Sequence, residues 1–172
     1  KLAPAKFAVT KAERMAAMEK VDADFKKAAL EALTRVTKFS KAGLRKDWNL
    51  LSPKGGLMGE QFQPLERVGC YIPGGAAPLA STAIMTVGLA KVAGVPDIVA
   101  CTPAEKNGRV NPYVLYALDL AGATEIYRIG GIQAIGAMAY GTKTIAPVQK
   151  IVGPGGPYVT AAKKLVYGTV VL

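Results

Sequence analysis

Arg67-Val68-Gly69-Cys70-Tyr71-Ile72-Pro73-Gly74-Gly75 is the stretch on which the fold class turns. A short β-branched and aromatic run ends at a proline and two glycines. An apolar, helix-compatible stretch over residues 78–93 follows. Strand, glycine turn, helix is the unit of a parallel α/β sheet, because the helix carries the chain back to start the next strand alongside.

The same grammar recurs downstream. Asp97-Ile98-Val99-Ala100-Cys101-Thr102-Pro103 reads as a second strand closed by Pro103, and a polar loop from Glu105 to Arg109 leads to a helix over residues 112–120. Pro112 suits the first helical turn, where its missing N–H costs nothing. Glu125-Ile126-Tyr127-Arg128-Ile129 is a third strand, running into Gly130-Gly131 and a helix to Tyr140. Lys150-Ile151-Val152 is a fourth, followed by Gly153-Pro154-Gly155-Gly156 and a helix to Tyr167; residues 169–172 read as the start of a fifth. Because the chain stops within that apolar run, the sequence reads as a piece of a larger protein.

Upstream the composition changes. Met15, Met18, Phe25, Ala29, Leu33 and Val36 recur at three- and four-residue spacings over 12–20 and 25–39, which predicts two amphipathic helices. Asp22 or Asp24 is placed to cap the second, and Gly43 ends it. Residues 48–56 read as a connector. The expected architecture is an α/β fold: an incomplete Rossmann-like parallel sheet with flanking helices over residues 61–172, preceded by a helical segment and linker over residues 1–60.

Composition narrows the function. Hydrophobic residues make up 51% of 172 positions and charged residues 20%, enough apolar material for a real core and too much for disorder. The net charge of +10 is spread over helical faces among acidic residues, with no Arg-rich run, RNP-type motif or zinc finger, so it reads as solvated surface rather than a nucleic-acid site. The uncharged stretch from Val68 to Ala90 is interrupted by Pro73-Gly74-Gly75 and Pro78, which argues against a membrane span. No apolar signal-peptide core is visible at the N-terminus, and a cytoplasmic location is expected. Cys70 and Cys101 read as buried structural thiols. There is no histidine, which removes the ordinary neutral-pH proton shuttle and imidazole-based zinc binding.

The glycine-bearing turns are the candidate chemistry. Glycine lets backbone amides approach a ligand, and the positive end of a helix dipole favours phosphate. None of the turns is a strict G-x-G-x-x-G, and each also reads as a tight strand-to-helix connection. The acidic residue expected after the second strand of a dinucleotide-binding fold is missing, since Thr102-Pro103 follow Cys101. Tyr71 is placed to stack on a base or to pack in the core. Gln133 is placed to donate to a cofactor or to face solvent. Lys163-Lys164 suits either a phosphate or a solvated helix end.

Glu66-Arg67-Val68-Gly69-Cys70-Tyr71-Ile72-Pro73-Gly74-Gly75 resembles the ERVGLYIPGG segment of the histidinol dehydrogenase family. Gly130-Gly131-Ile132-Gln133-Ala134-Ile135 resembles its GGAQAI turn. Lys150-Ile151-Val152-Gly153-Pro154-Gly155, with Tyr158-Val159-Thr160 and Ala162-Lys163, is similar to its KIxGPGNxxVTxAK segment. Order and spacing agree from about Glu66 to Gly168; the helical N-terminal part fits more loosely. The stretch from Met85 to Pro103 is also similar to relatives that oxidise other small alcohols, such as sulfopropanediol dehydrogenases.

The resemblance implies a homodimeric enzyme that takes L-histidinol to L-histidine in two NAD-dependent steps of histidine biosynthesis, using zinc and a Glu-His acid/base pair. It places Tyr71 and Gln133 at NAD-binding positions. The third, the asparagine of GPGN, is Gly156 here, so the site lacks a side-chain amide and NAD binding is expected to be weakened or lost. Zinc ligands and the Glu-His pair lie beyond the last motif in the family, so this chain carries no catalytic or metal residue of that set and zinc is expected only in a full-length member. The leading expectation is therefore a cofactor-side portion that is inactive alone, its partners a small-molecule dinucleotide and either a second copy or the missing C-terminal portion. The alternatives are a non-catalytic, self-associating α/β module and a dehydrogenase of another small alcohol.

Overall fold

A computed structural model describes residues 7–74 and 78–172; Gly75, part of the first glycine turn, lies outside them. Two helices come first, α1 (Lys11–Lys20) and α2 (Ala23–Ala42), and then a hairpin of β1 (Trp48–Leu51) and β2 (Leu57–Glu60). The repeating units follow as β3 (Arg67–Tyr71), α3 (Ala80–Val92), β4 (Asp97–Cys101), α4 (Pro112–Ala121), β5 (Glu125–Tyr127), α5 (Gly131–Tyr140), β6 (Lys150–Val152) and α6 (Pro157–Val166). The last four strands form one parallel sheet in the order β5-β4-β3-β6. The α/β expectation is met, and the strands and helices from β3 to α6 lie within two residues of where the sequence puts them.

Alternation along the strands divides the core into two layers. Val68, Cys70, Ile98, Ala100 and Ile126 face one side, where they pack with α3 and α4. Tyr71, Val99, Cys101, Tyr127 and Ile151 face the other, against α5 and α6. Both cysteines are completely buried, and burial pushes each thiol up to about 12. They project to opposite faces of the sheet, as the one-residue offset between Cys70↔Ala100 and Tyr71↔Cys101 requires.

The N-terminal helices form a further layer on α3 and α4. Thr10 and Glu13 make a capping box on α1, and Asp22 caps α2 by accepting from the Phe25 N–H. Phe25 packs edge-on against Tyr113, with ring centroids 4.8 Å apart, and Ala29, Leu33 and Val36 follow it inward along α2. Met15 departs from expectation and is exposed. The inward face of α1 pairs the buried Ala17 with polar contacts: Arg14 donates to the Ala123 carbonyl at 2.7 Å, and Glu13 pairs with Arg128 at 2.5 Å.

Residues 48–56, expected as a connector, contain β1 and half of an antiparallel hairpin. All eight of its strand residues are exposed, so no in–out alternation marks it in the sequence. At the other end of the chain, Val171 makes a parallel bridge to Lys150 beside β6; the predicted fifth strand is reduced to that bridge.

The two rims of the sheet are held differently. At the amino ends, Arg67 grips Glu125 with two 2.8 Å bonds across the intervening β4. Tyr127 donates its hydroxyl proton to Glu125 at 2.7 Å, and Gln149 accepts from the Glu66 and Arg67 N–H groups. The Arg67 guanidinium holds the Glu125 carboxyl below the ordinary carboxylate range. At the carboxyl ends the strands lead into the glycine turns.

Candidate cofactor site

From β3 the chain moves outward through β4 and β5, then returns to place β6 on the other side of β3. That reversal makes the carboxyl ends of β3 and β6 the switch point, where adjacent connections leave in opposite directions and open a crevice. Tyr71 ends β3. Its ring is 4% exposed, packed in the core layer beneath α5 and α6, so the residue presents its hydroxyl to the rim rather than a ring face for stacking. That hydroxyl accepts the Gly131 N–H at 3.0 Å and retains its own proton to donate.

The turn after β6 crosses the same residue. A Cβ on Gly153 would stand 2.1 Å from the Tyr71 carbonyl oxygen, and Gly153 has φ +120°, so only glycine serves there. Two further turns meet at Pro103: a Cβ on Gly74 or Gly130 would come within 2.3 or 2.6 Å of its ring. The sequence marks Pro103 only as a strand terminator. The structure makes it the surface on which two glycine turns close.

The three sequence-predicted residues thus lie on turns that meet at Tyr71. Gln133 is exposed on the first turn of α5, its Oε1 close to Gly131. Gly156 is exposed at the start of α6, with nothing within 4 Å of an added Cβ and an ordinary φ of −68°. Its glycine answers to no packing or backbone demand, unlike Gly153.

Two residues of the last motif have a role that its spacing foreshadows. Thr160 and Lys163, four and seven residues after Gly156, share a helix face. Thr160 donates its backbone N–H to the Gly156 carbonyl, and Lys163 Nζ donates to the Gly153 carbonyl at 2.8 Å. Partial burial lowers the Lys163 pKa from its ordinary value. Among the described residues it makes no ion pair. Neither α5 nor α6 has a side-chain N-cap or an acid in its first turn, which leaves amide donors and positive dipole ends facing the rim.

This rim geometry has close counterparts. The family model described as histidinol dehydrogenase matches residues 1–172. The chain belongs to the histidinol dehydrogenase family. A histidinol dehydrogenase of Methanothermobacter thermautotrophicus is 49% identical over 164 residues, covering 95% of this chain and 38% of the relative. One from Symbiobacterium thermophilum is 46% identical over 162 residues, covering 94% and 37%. The crystal structure of histidinol dehydrogenase from Elizabethkingia anophelis superimposes with a TM-score of 0.91 at 40% identity, over 96% of this chain and 38% of that one. The chain therefore spans little more than a third of the length of these histidinol dehydrogenases.

Zinc does not fit the residues present. Among the described residues no three His, Cys, Asp or Glu side chains are grouped to hold a metal, and both thiols are buried on opposite faces. A dinucleotide does fit: the turns offer uncapped amides, one partly buried ammonium and open space at Gly156. A cavity of about 780 Å³ lies away from this rim. It is a largely apolar groove between α3 and the 44–65 segment, lined by Phe62, Leu65, Met85 and Leu89.

Proposed function

We propose that this chain supplies the NAD-binding side of a histidinol dehydrogenase-type enzyme, with Tyr71, Gln133 and the Gly156 turn as its cofactor contacts. The observation that carries the reading is the meeting of the α5 and α6 turns at Tyr71, on the switch point of the sheet. Bound there, NAD supplies a nicotinamide that accepts hydride. The chain's own part would be to orient it: the first-turn N–H groups of α5 and α6 other than Gly131 and Pro157 would hold the pyrophosphate, Lys163 would add positive charge beside them, and Tyr71 and Gln133 would donate from the rim. Gly156 adds backbone only, which weakens the grip.

Alcohol oxidation also needs a group to polarise the oxygen and a base for its proton. The 172 residues contain no histidine, and the described carboxylates are spent on Arg14, Arg67, Arg128 and helix caps or stand in solvent. Residues 61–172 act as the cofactor side, with residues 1–60 as a buttressing segment, and turnover requires the remainder of the family's length. The purified chain is expected to bind NAD weakly by isothermal titration and to form no NADH with histidinol and zinc. Clear NADH production overturns the second expectation, and absence of NAD binding even in Gly156→Asn overturns the first. A cytoplasmic location accords with this role; among the described residues no helix is long and apolar enough to cross a membrane.

A second reading, a self-associating module, is favoured by the exposure of Tyr158, Leu165 and Tyr167 on and just after α6. Light scattering separates the two, since a strict monomer at high concentration removes self-association.

A further inference from the structure

Pro73 and Gly74 after β3 and the connection from β4 to α4 wall a cavity of about 480 Å³, with Pro103, Glu105 and Asn111 in its lining. It lies at the same rim as the glycine turns, on the opposite face of the sheet from α5 and α6. In a dinucleotide-binding sheet, a carboxylate beyond the second strand of the first βαβ unit meets the ribose hydroxyls of the adenosine half. Here β4 is that strand, and Thr102 and Pro103 occupy the place where the acid ordinarily stands.

The fold provides a carboxylate a little further along. Glu105 opens a tight loop: its N–H donates to the Arg109 carbonyl at 2.8 Å, and its carbonyl accepts the Gly108 N–H at 2.9 Å. Its Oε1 accepts from Asn111 Nδ2 at 3.0 Å. Asn111 is fixed in turn as the N-cap of α4, accepting the Tyr113 N–H at 3.0 Å. Glu105 is thus an exposed carboxylate held by a fixed partner at the edge of the cavity. Among the described residues it makes no ion pair. Its Oε2 has only a long 3.4 Å contact with Asn107, so acceptor capacity remains for a pair of hydroxyls.

We propose that Glu105 receives the adenosine ribose hydroxyls of a dinucleotide seated in this cavity and, by its charge, turns away a 2′-phosphate, so that it sets the preference for NAD over NADP. This rests on the dinucleotide reading above. A carboxylate accepts from both hydroxyls of a cis-diol but repels a phosphate ester on one of them. The position two residues after Pro103 is the fold's answer to that proline: Pro103 is occupied in closing the Gly74 and Gly130 turns, and the acid is displaced into the loop beyond it.

The test is isothermal titration of the full chain and of its Gly156→Asn variant with four probes: NAD, NADP, ADP and 2′-deoxy-ADP. Glu105→Gln keeps the size and the Asn111 bond, and Glu105→Ala serves as the second variant; thermal melts check that both fold. ADP is expected to bind about tenfold more tightly than 2′-deoxy-ADP, and NAD at least about tenfold more tightly than NADP, as a charged hydrogen bond gained or lost implies. Both ratios are expected to fall close to one in the Glu105 variants. Ratios left unchanged by both substitutions overturn the assignment of Glu105 alone. Absence of binding by all four probes in both backgrounds overturns it together with the dinucleotide reading.

Discussion

The amino and carboxyl rims of the same four strands solve the problem of strand-end polarity in opposite ways. At the amino rim, charge closes the structure: Arg67 pairs with Glu125, which also accepts from Tyr127, and Gln149 accepts from the Glu66 and Arg67 N–H groups. At the carboxyl rim, glycine contacts close the turns, with the Gly131–Tyr71 and Lys163–Gly153 hydrogen bonds beside them. Gly153 lies on the Tyr71 carbonyl and Gly74 and Gly130 lie on Pro103, while α5 and α6 begin without side-chain caps. A rim closed by ion pairs has little left for a ligand; a rim closed by glycine contacts keeps its amides available. The difference is one of chemistry left over: paired charge at one rim, backbone donors at the other.

The sharpest way to break this contrast is Gly153→Ala. Its Cβ collides with backbone rather than with a mobile side chain, at a φ that L-residues avoid, so a loss of more than about 3 kcal/mol is expected in denaturant unfolding. A variant as stable as wild type would show that the turn is not fixed by contact with Tyr71. Next comes Arg67→Met at the amino rim. It strands Glu125 beside the sheet, and a loss of about 2 kcal/mol is expected by the same measurement, only partly recovered by Arg67→Lys, which lacks the two-pronged grip.

Acid should weaken the amino rim, as it should the Glu13–Arg128 pair, where the Glu13 carboxyl is held at about 2. Because the Glu125 carboxyl is held below its ordinary range in the folded chain, its contribution is complete above the unfolded carboxylate pKa. It is lost as the pH falls through that value toward the folded one. Being partly exposed, the group carries about 1 kcal/mol of this at most. Unfolding curves from pH 7 to 3 should therefore flatten in Glu125→Gln relative to wild type, and equal slopes would remove the charge account of this rim. The smallest effect belongs to Gly156→Asn. With open space and an extended φ, the new side chain is expected to add about 0.3 kcal/mol by capping α6 and to strengthen NAD binding about tenfold through one added amide. Weaker binding would mean that the Gly156 turn faces away from the nucleotide.

How much of this was legible in the sequence follows from what kind of signal each feature leaves. The repeating units were readable because buried parallel strands are continuous apolar runs and each is punctuated by glycine or proline. The β1–β2 hairpin was not, because Trp48, Leu50, Leu57 and Met58 are all exposed and its cohesion lies in backbone pairing that composition does not encode. Met15 was misassigned for a related reason: periodicity counts apolar residues, whereas α1 docks through Glu13 and Arg14. At the candidate site, the family motifs pointed to turns that the structure brings together at Tyr71. They could not show that Tyr71 Oη meets the Gly131 N–H, a contact spanning sixty positions, or that Pro103 carries two turns. The loop carboxylate Glu105 leaves no comparable signal, because it stands four residues beyond β4 in a charged, polar loop.

The two cysteines supply the molecule with a pair of internal gauges. Each is silent toward alkylating reagents while its own side of the sheet stays shut, and the sides have different lids: the first and second crossover helices over Cys70, the last two over Cys101. Their separate labelling rates therefore time the opening of each layer independently, and nucleotide occupancy that protects Cys101 more than Cys70 would mean that the ligand tightens the later helices first.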